Sequence, residues 1–227
     1  LYLTFYNQHS GYFSSNRKGA KFSTSKYCCN DVFSFRYSKS VLDTIKYASE
    51  IQEYLPLNLY FHNDDPDPGT MNTVTKKTYK EAYISYFMMK PDYEKQNPNL
   101  DNFFEEVLQQ NFNNLNKVLN ILLFELSNGK SIEIQIRGYA SPLHTAEYNQ
   151  NLSQRRISSL MNYFIQFKNG ILTRYFESKK LIIIQLPFGE SSASNEISDD
   201  ANDKRRSVYS IEAMLERKIK IVNVILK

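Results

Sequence analysis

The sequence predicts an α/β protein, a mixed sheet with helices on one face in the order β-α-α-β-α-β-β, behind a short antiparallel β segment. Three observations carry this. Apolar residues recur at every second position in some stretches and near every 3.6 in others, and the two periods alternate along residues 56–227. The strand-like stretches are separated by long amphipathic ones instead of being grouped together. Hydrophobic residues make up 41% of the 227, enough for one core of usual size and a smaller appendage.

The elements follow in order. Residues 1–37 hold LYLTFY, GYFSS and DVFSFRY, alternating runs joined by Gly, Asn and Ser, which read as strands of an antiparallel sheet. Three strands with no partner sheet are marginal alone, so this part is expected to belong to a β unit that continues before Leu1. Residues 38–55 read as a linker with a short helix. LNLYFHN is a strand ended by the proline- and aspartate-rich DDPDPG turn. TYKEAYISYFMM places Tyr79, Tyr83, Tyr86 and Phe87 at helical intervals, a stripe that reads as core, and KPDYEKQNPN breaks it. LDNFFEEVLQQNFNNLNKVLNILLFELSNG is a long amphipathic helix closed by Gly129. SIEIQIRG is a strand, and EYNQNLSQRRISSLMNYFIQF a second long helix ending near Gly170. KLIIIQLPFG reads as a buried strand, SSASNEISDDANDKRRS as a polar loop, and the chain closes on the strand of KIKIVNVILK.

Composition removes several classes of function. No apolar run approaches the roughly 20 residues of a membrane helix, so no direct membrane span is expected. The net charge is +4, but Lys and Arg are interleaved with Asp and Glu, which argues against a nucleic-acid partner. Cys28 and Cys29 are adjacent and show no metal-ligand spacing; they read as small buried residues or as partners of something outside the chain. His62 with Asp64 and Asp65 is weak stock for zinc. SDDANDKRR lacks the Gly and closing Glu of a calcium loop. No Ser sits in a Gly-x-Ser-x-Gly elbow. The reading is non-catalytic, with no cofactor and no metal.

The junction GYASPLHTAEYNQNLSQRR, residues 138–156, resembles the OmpA-like C-terminal domain, the periplasmic module that grips peptidoglycan. That family has a strand, then Gly-His-Thr-Asp, a loop, and a helix opened by Asn-x-x-Leu-Ser-x-x-Arg. Here the strand is IEIQIR, the turn is Gly138-Tyr139-Ala140-Ser141, and Asn149, Leu152, Ser153 and Arg156 keep the helix spacing. LYFHNDD, GES and ERKIKI are similar to the family's other strands. The resemblance covers roughly residues 55–227 and implies a peptidoglycan stem peptide as ligand. Its diamino acid would be held through an ammonium by the turn Asp and through a carboxylate by the helix Arg. A guanidinium fork suits a carboxylate, and free N–H groups at a helix start favour an anion. The expected ligand-binding residues are Asn63, Asp64, Tyr139, Ser141, Asn149 and Arg156, with Arg155 a solvated neighbour.

The sequence departs from the pattern at Ser141, where the family has its Asp. A hydroxyl accepts a hydrogen bond but brings no opposing charge, a loss of about 1–2 kcal/mol unless Asp64 or Asp65 stands in. Two expectations follow: a periplasmic anchor tying an outer-membrane-associated assembly to the wall, or a module that keeps the fold and holds envelope or outer-membrane proteins instead. GYFSSNRKG with CCNDVFSF is similar to the last blade of a TolB-like β-propeller. Such blades stand upstream of OmpA-like domains in envelope proteins of the Bacteroidota, some linked to type IX secretion.

Overall fold

Ile132, Ile134 and Ile136 are buried while Glu133, Gln135 and Arg137 between them are not, so β5 (Ile132–Gly138) has one face in the core and one open. The computed structural model describes residues 3–7, 10–15, 31–36, 50–98, 100, 102–190, 197–198, 200 and 202–227. It divides the chain into two units, Leu1–Ser49 and Glu50–Lys227.

In the first unit, β1 (Leu3–Asn7), β2 (Ser10–Ser15) and β3 (Asp31–Arg36) form an antiparallel sheet in that order. Phe13 and Phe33 face each other across β2 and β3 and stack at 5.3 Å. Cys28, Cys29 and residues 38–49 of the expected linker lie outside the described residues; residues 50–53 form a helical turn.

The second unit runs β4 (Leu57–Tyr60), α1 (Tyr79–Met88), α2 (Lys90–Gln96), a π-helical segment (Phe103–Gln109), α3 (Gln110–Ser127), β5, α4 (Ala146–Gln166), α5 (Thr173–Glu177), β6 (Leu181–Pro187), α6 (Lys204–Ser207), α7 (Ile211–Glu216) and β7 (Lys218–Leu226). The sheet order is β4-β7-β5-β6, antiparallel except for the parallel pair β5 and β6. The architecture is the expected mixed sheet with helices. The apolar residues of α3 and α4 cover Leu57, Leu59, Ile219 and Ile221 as well as β5, each such side chain contributing about 2 kcal/mol. A bulge at Val222 lets β7 keep an apolar phase inward: Gln135 pairs with Asn223 and Ile136 with Ile221, so Ile221 and Val224 are both buried.

Four details differ from the sequence reading. β4 stops at Tyr60, short of the LNLYFHN run, and the chain then turns with Asp64 and Asp67 at positive φ; His62 and Asp64 therefore do not share a strand face. KPDYEKQ forms α2, since Pro91 sits where a helix start has no hydrogen bond to lose. β6 is an edge strand with Ile182 44% exposed, so its apolar run is only partly buried. The polar loop contains α6, capped by Asp203. The Tyr79–Phe87 stripe is core as expected, with Tyr79 and Tyr86 fully buried; Tyr86 packs edge-on against Phe104 of the π-helical segment at 5.4 Å.

Candidate functional site

Gly138 closes β5 where α4 crosses closest. A Cβ there would lie 2.6 Å from the Ser153 carbonyl oxygen, so only glycine lets the strand end meet the helix. This contact sets the depth of α4 against the loops, and with it the place of both arginines. Thr145 starts the helix, its hydroxyl accepting the Tyr148 N–H.

Arg155 and Arg156 point about 100° apart around the helix, and both are buried to 0% exposure. Arg156 reaches the strand ends: Nε donates to the Asp65 carbonyl (3.0 Å), one terminal nitrogen to that of Tyr139 (2.7 Å) and the other to that of His62 (3.3 Å). Its guanidinium lies over the Phe61 ring at 5.2 Å. Burial, then repulsion from Arg217, lowers its pKa to about 9, so it stays cationic near neutrality. Arg155 turns to the 64–72 loop, which it binds through the carbonyls of Pro66 (2.6 Å), Thr70 (2.8 Å) and Asn72 (2.7 Å). The expectation of a solvated Arg155 is thus corrected: the loop folds over it, and three carbonyls replace the water.

The carboxylates near these arginines are also engaged. Asp64 accepts the Gly69 N–H (2.9 Å) and a short hydrogen bond from the Tyr148 hydroxyl, and lies 3.8 Å from Arg155. Asp65 is 9% exposed and 3.7 Å from the ammonium of Lys77, which also meets Asp67 at 3.6 Å. Burial raises the Asp65 carboxyl, with Lys77 and Arg156 opposing the shift. His62 receives or gives one hydrogen bond at Nδ1 with the Tyr93 hydroxyl (2.8 Å). Burial, then Arg217 and Arg156, lowers its pKa to about 4.

Of the expected site residues, Arg156 and Tyr139 are joined by a hydrogen bond, whereas Asp64 is tied to Gly69, Tyr148 and Arg155. Asn63 is half-buried in the same turn. Ser141 is 4% exposed and Asn149 fully buried. Asn149 donates to the His144 carbonyl (3.0 Å) and, by a short bond, to Glu190. Its Oδ1 has no donor among the described residues. The residues that sequence reasoning missed are Lys77, Tyr148, Arg155, Glu190 and Arg217. Arg217 is buried, with one terminal nitrogen 2.8 Å from the Val208 carbonyl and 3.4 Å from the Tyr93 hydroxyl. None carries a local signal, because its partners are mostly distant along the chain. No family model matches this chain, and no curated protein matches it. Among the described residues no helix is long and apolar enough to cross a membrane.

Proposed function

We propose that the chain is a non-catalytic, OmpA-like interaction module whose wall-peptide groove is closed by its own groups, and which holds protein partners as a scaffold in a periplasmic, outer-membrane-associated complex. One observation carries this: Arg156 is fully buried and each of its three nitrogens already donates to a carbonyl, those of His62, Asp65 and Tyr139. A carboxylate ligand would have to reach a fully buried guanidinium and compete with three charge-assisted hydrogen bonds that already fix its orientation. The ammonium half of the grip is occupied in the same way, with Lys77 beside Asp65 and Ser141 supplying no charge. The resemblance to a TolB-like blade adds a second module suited to protein partners.

Titration calorimetry with a diaminopimelate-containing stem peptide tests the reading. No binding is expected in the millimolar range. Micromolar binding by the wild type, weakened about tenfold or more by Ser141→Ala at unchanged melting temperature, would overturn it. The anchoring reading draws on Asn149 Oδ1, a buried acceptor with no donor among the described residues, and the same titration decides between the two.

A further inference from the structure

The open face of the second sheet carries an arrangement that neither the core nor the arginine knot uses. Arg137 on β5 and Lys220 on β7 are direct cross-strand partners, so two cations stand side by side on one face. Like charges so placed disfavour the pairing. The ion pairs nearby join Lys218 to Glu216 (3.6 Å) and Lys227 to Glu133 (2.9 Å); no carboxylate among the described residues pairs with Arg137 or Lys220.

These cations surround two stacked rings. Tyr139 and Phe188 lie 5.8 Å apart at 14°. Arg137 sits over Phe188 at 5.5 Å, and Lys218 and Lys220 approach Tyr139 at 5.5 and 5.9 Å. Phe188 is 39% exposed and Ile182, farther along β6, 44%. Arg and aromatic side chains together in an accessible patch have the composition of interface cores.

The strand beside this patch is an edge. Ile132 N–H bonds the Lys180 carbonyl (2.7 Å) and Phe188 N–H that of Gly138 (2.8 Å), which fixes the phase of the parallel ladder. Residues 182, 184 and 186 therefore face β5, and the main-chain groups of Ile183 and Gln185 point away from it, at the sheet's outer edge. An extended peptide can pair there and lay alternate side chains on the open face.

We infer that this face docks an extended, acidic and apolar segment of a protein partner, its carboxylates meeting Arg137 and Lys220 and its apolar side chains meeting Phe188 and Ile182. The inference rests on the scaffold reading above and names the surface and chemistry of the partner. Protein is favoured over nucleic acid because the cations adjoin a hydrophobic row and a strand edge where the Pro187 carbonyl accepts from Gln150 (2.7 Å) but the main-chain groups of Ile183 and Gln185 have no partner among the described residues, and because they form no long basic track.

The test is selection of random 12-residue displayed peptides on the full chain, followed by anisotropy titration of the enriched ones against wild type, Arg137→Glu/Lys220→Glu and Phe188→Ala. A ten-nucleotide oligothymidylate serves as the nucleic-acid probe. Enriched peptides with acidic residues alternating with apolar ones are expected, losing about tenfold or more in affinity on charge reversal and less with Phe188→Ala. Peptides without acidic excess, peptides that bind the charge-reversed chain equally, or tighter binding of the oligonucleotide would each overturn the proposal. Circular dichroism of both variants excludes unfolding as the cause. Stem-peptide binding that depends on Ser141 would sink the scaffold reading alone, since it does not involve Arg137 or Lys220.

Discussion

The sheet meets cations on its two faces in opposite ways. On the helical side, Arg155, Arg156 and Arg217 are fully buried and spend their donors chiefly on main-chain carbonyls. On the open side, Arg137 and Lys220 stand together with no carboxylate of their own among the described residues. A buried guanidinium with carbonyl partners is an internal crosslink, because leaving either side unpaired is costly in a low-dielectric interior. A pair of like charges at the surface, exposed Arg137 and half-buried Lys220, crosslinks no elements through a carboxylate or carbonyl among the described residues and touches the Phe188 and Tyr139 rings, so its main value lies in what it attracts. The same residue type is structural on one face and available for binding on the other.

Removing the crosslink should have the largest effect. Arg156→Ala leaves the buried carbonyls of Asp65 and Tyr139 without the arginine and that of His62 with only the Asp65 N–H (3.3 Å), and should cost about 3–5 kcal/mol, read as a lower urea midpoint at unchanged slope. Arg156→Lys should recover little, since one ammonium cannot reach three carbonyls arranged for a planar fork. A loss below about 1 kcal/mol would mean that the arginine is not held as described.

The next effect tests how α4 is seated. Gly138→Ala forces a Cβ to 2.6 Å from the Ser153 carbonyl oxygen, and main chain must shift. A loss of about 2 kcal/mol is expected in the same denaturation experiment.

The helical face should also respond to pH. His62 is lowered from the ordinary 6.5 to about 4 by burial and by Arg217 and Arg156. Between those values the unfolded chain binds the proton and the folded chain does not. Stability is therefore fully present above pH 6.5 and falls as pH drops toward 4. The loss should reach about 1.5 kcal/mol after allowance for partial exposure. Asp65, raised by burial, acts in the opposite sense at the acid end. Urea midpoints from pH 7 to 4 should slope less steeply for His62→Gln than for wild type.

The open face should give the smallest change in stability. Arg137→Glu/Lys220→Glu is expected to alter it by less than about 0.5 kcal/mol, with the melting temperature nearly unmoved. A large loss would make the cations part of the fold and remove the contrast between the faces.

By itself the sequence determined the alternation of strands and helices, because period-2 and period-3.6 patterns are local consequences of backbone geometry. Ile132, Ile134 and Ile136 announce a half-buried strand, and Gly129 a helix end, without reference to anything distant. The spacing of Gly138, Asn149 and Arg156 likewise marked the junction where strand, loop and helix meet. Tertiary structure alone decided what those residues do there. Arg156 and its three carbonyls are 17 to 94 residues apart, and Arg155 and its carbonyl partners 83 to 89. No periodicity records such pairings. Whether a guanidinium faces a ligand or its own chain depends on where the 64–72 loop lies, and that is set by long-range packing. The cross-strand pairing of Arg137 with Lys220 has the same origin: register between strands 83 residues apart is fixed by the sheet as a whole.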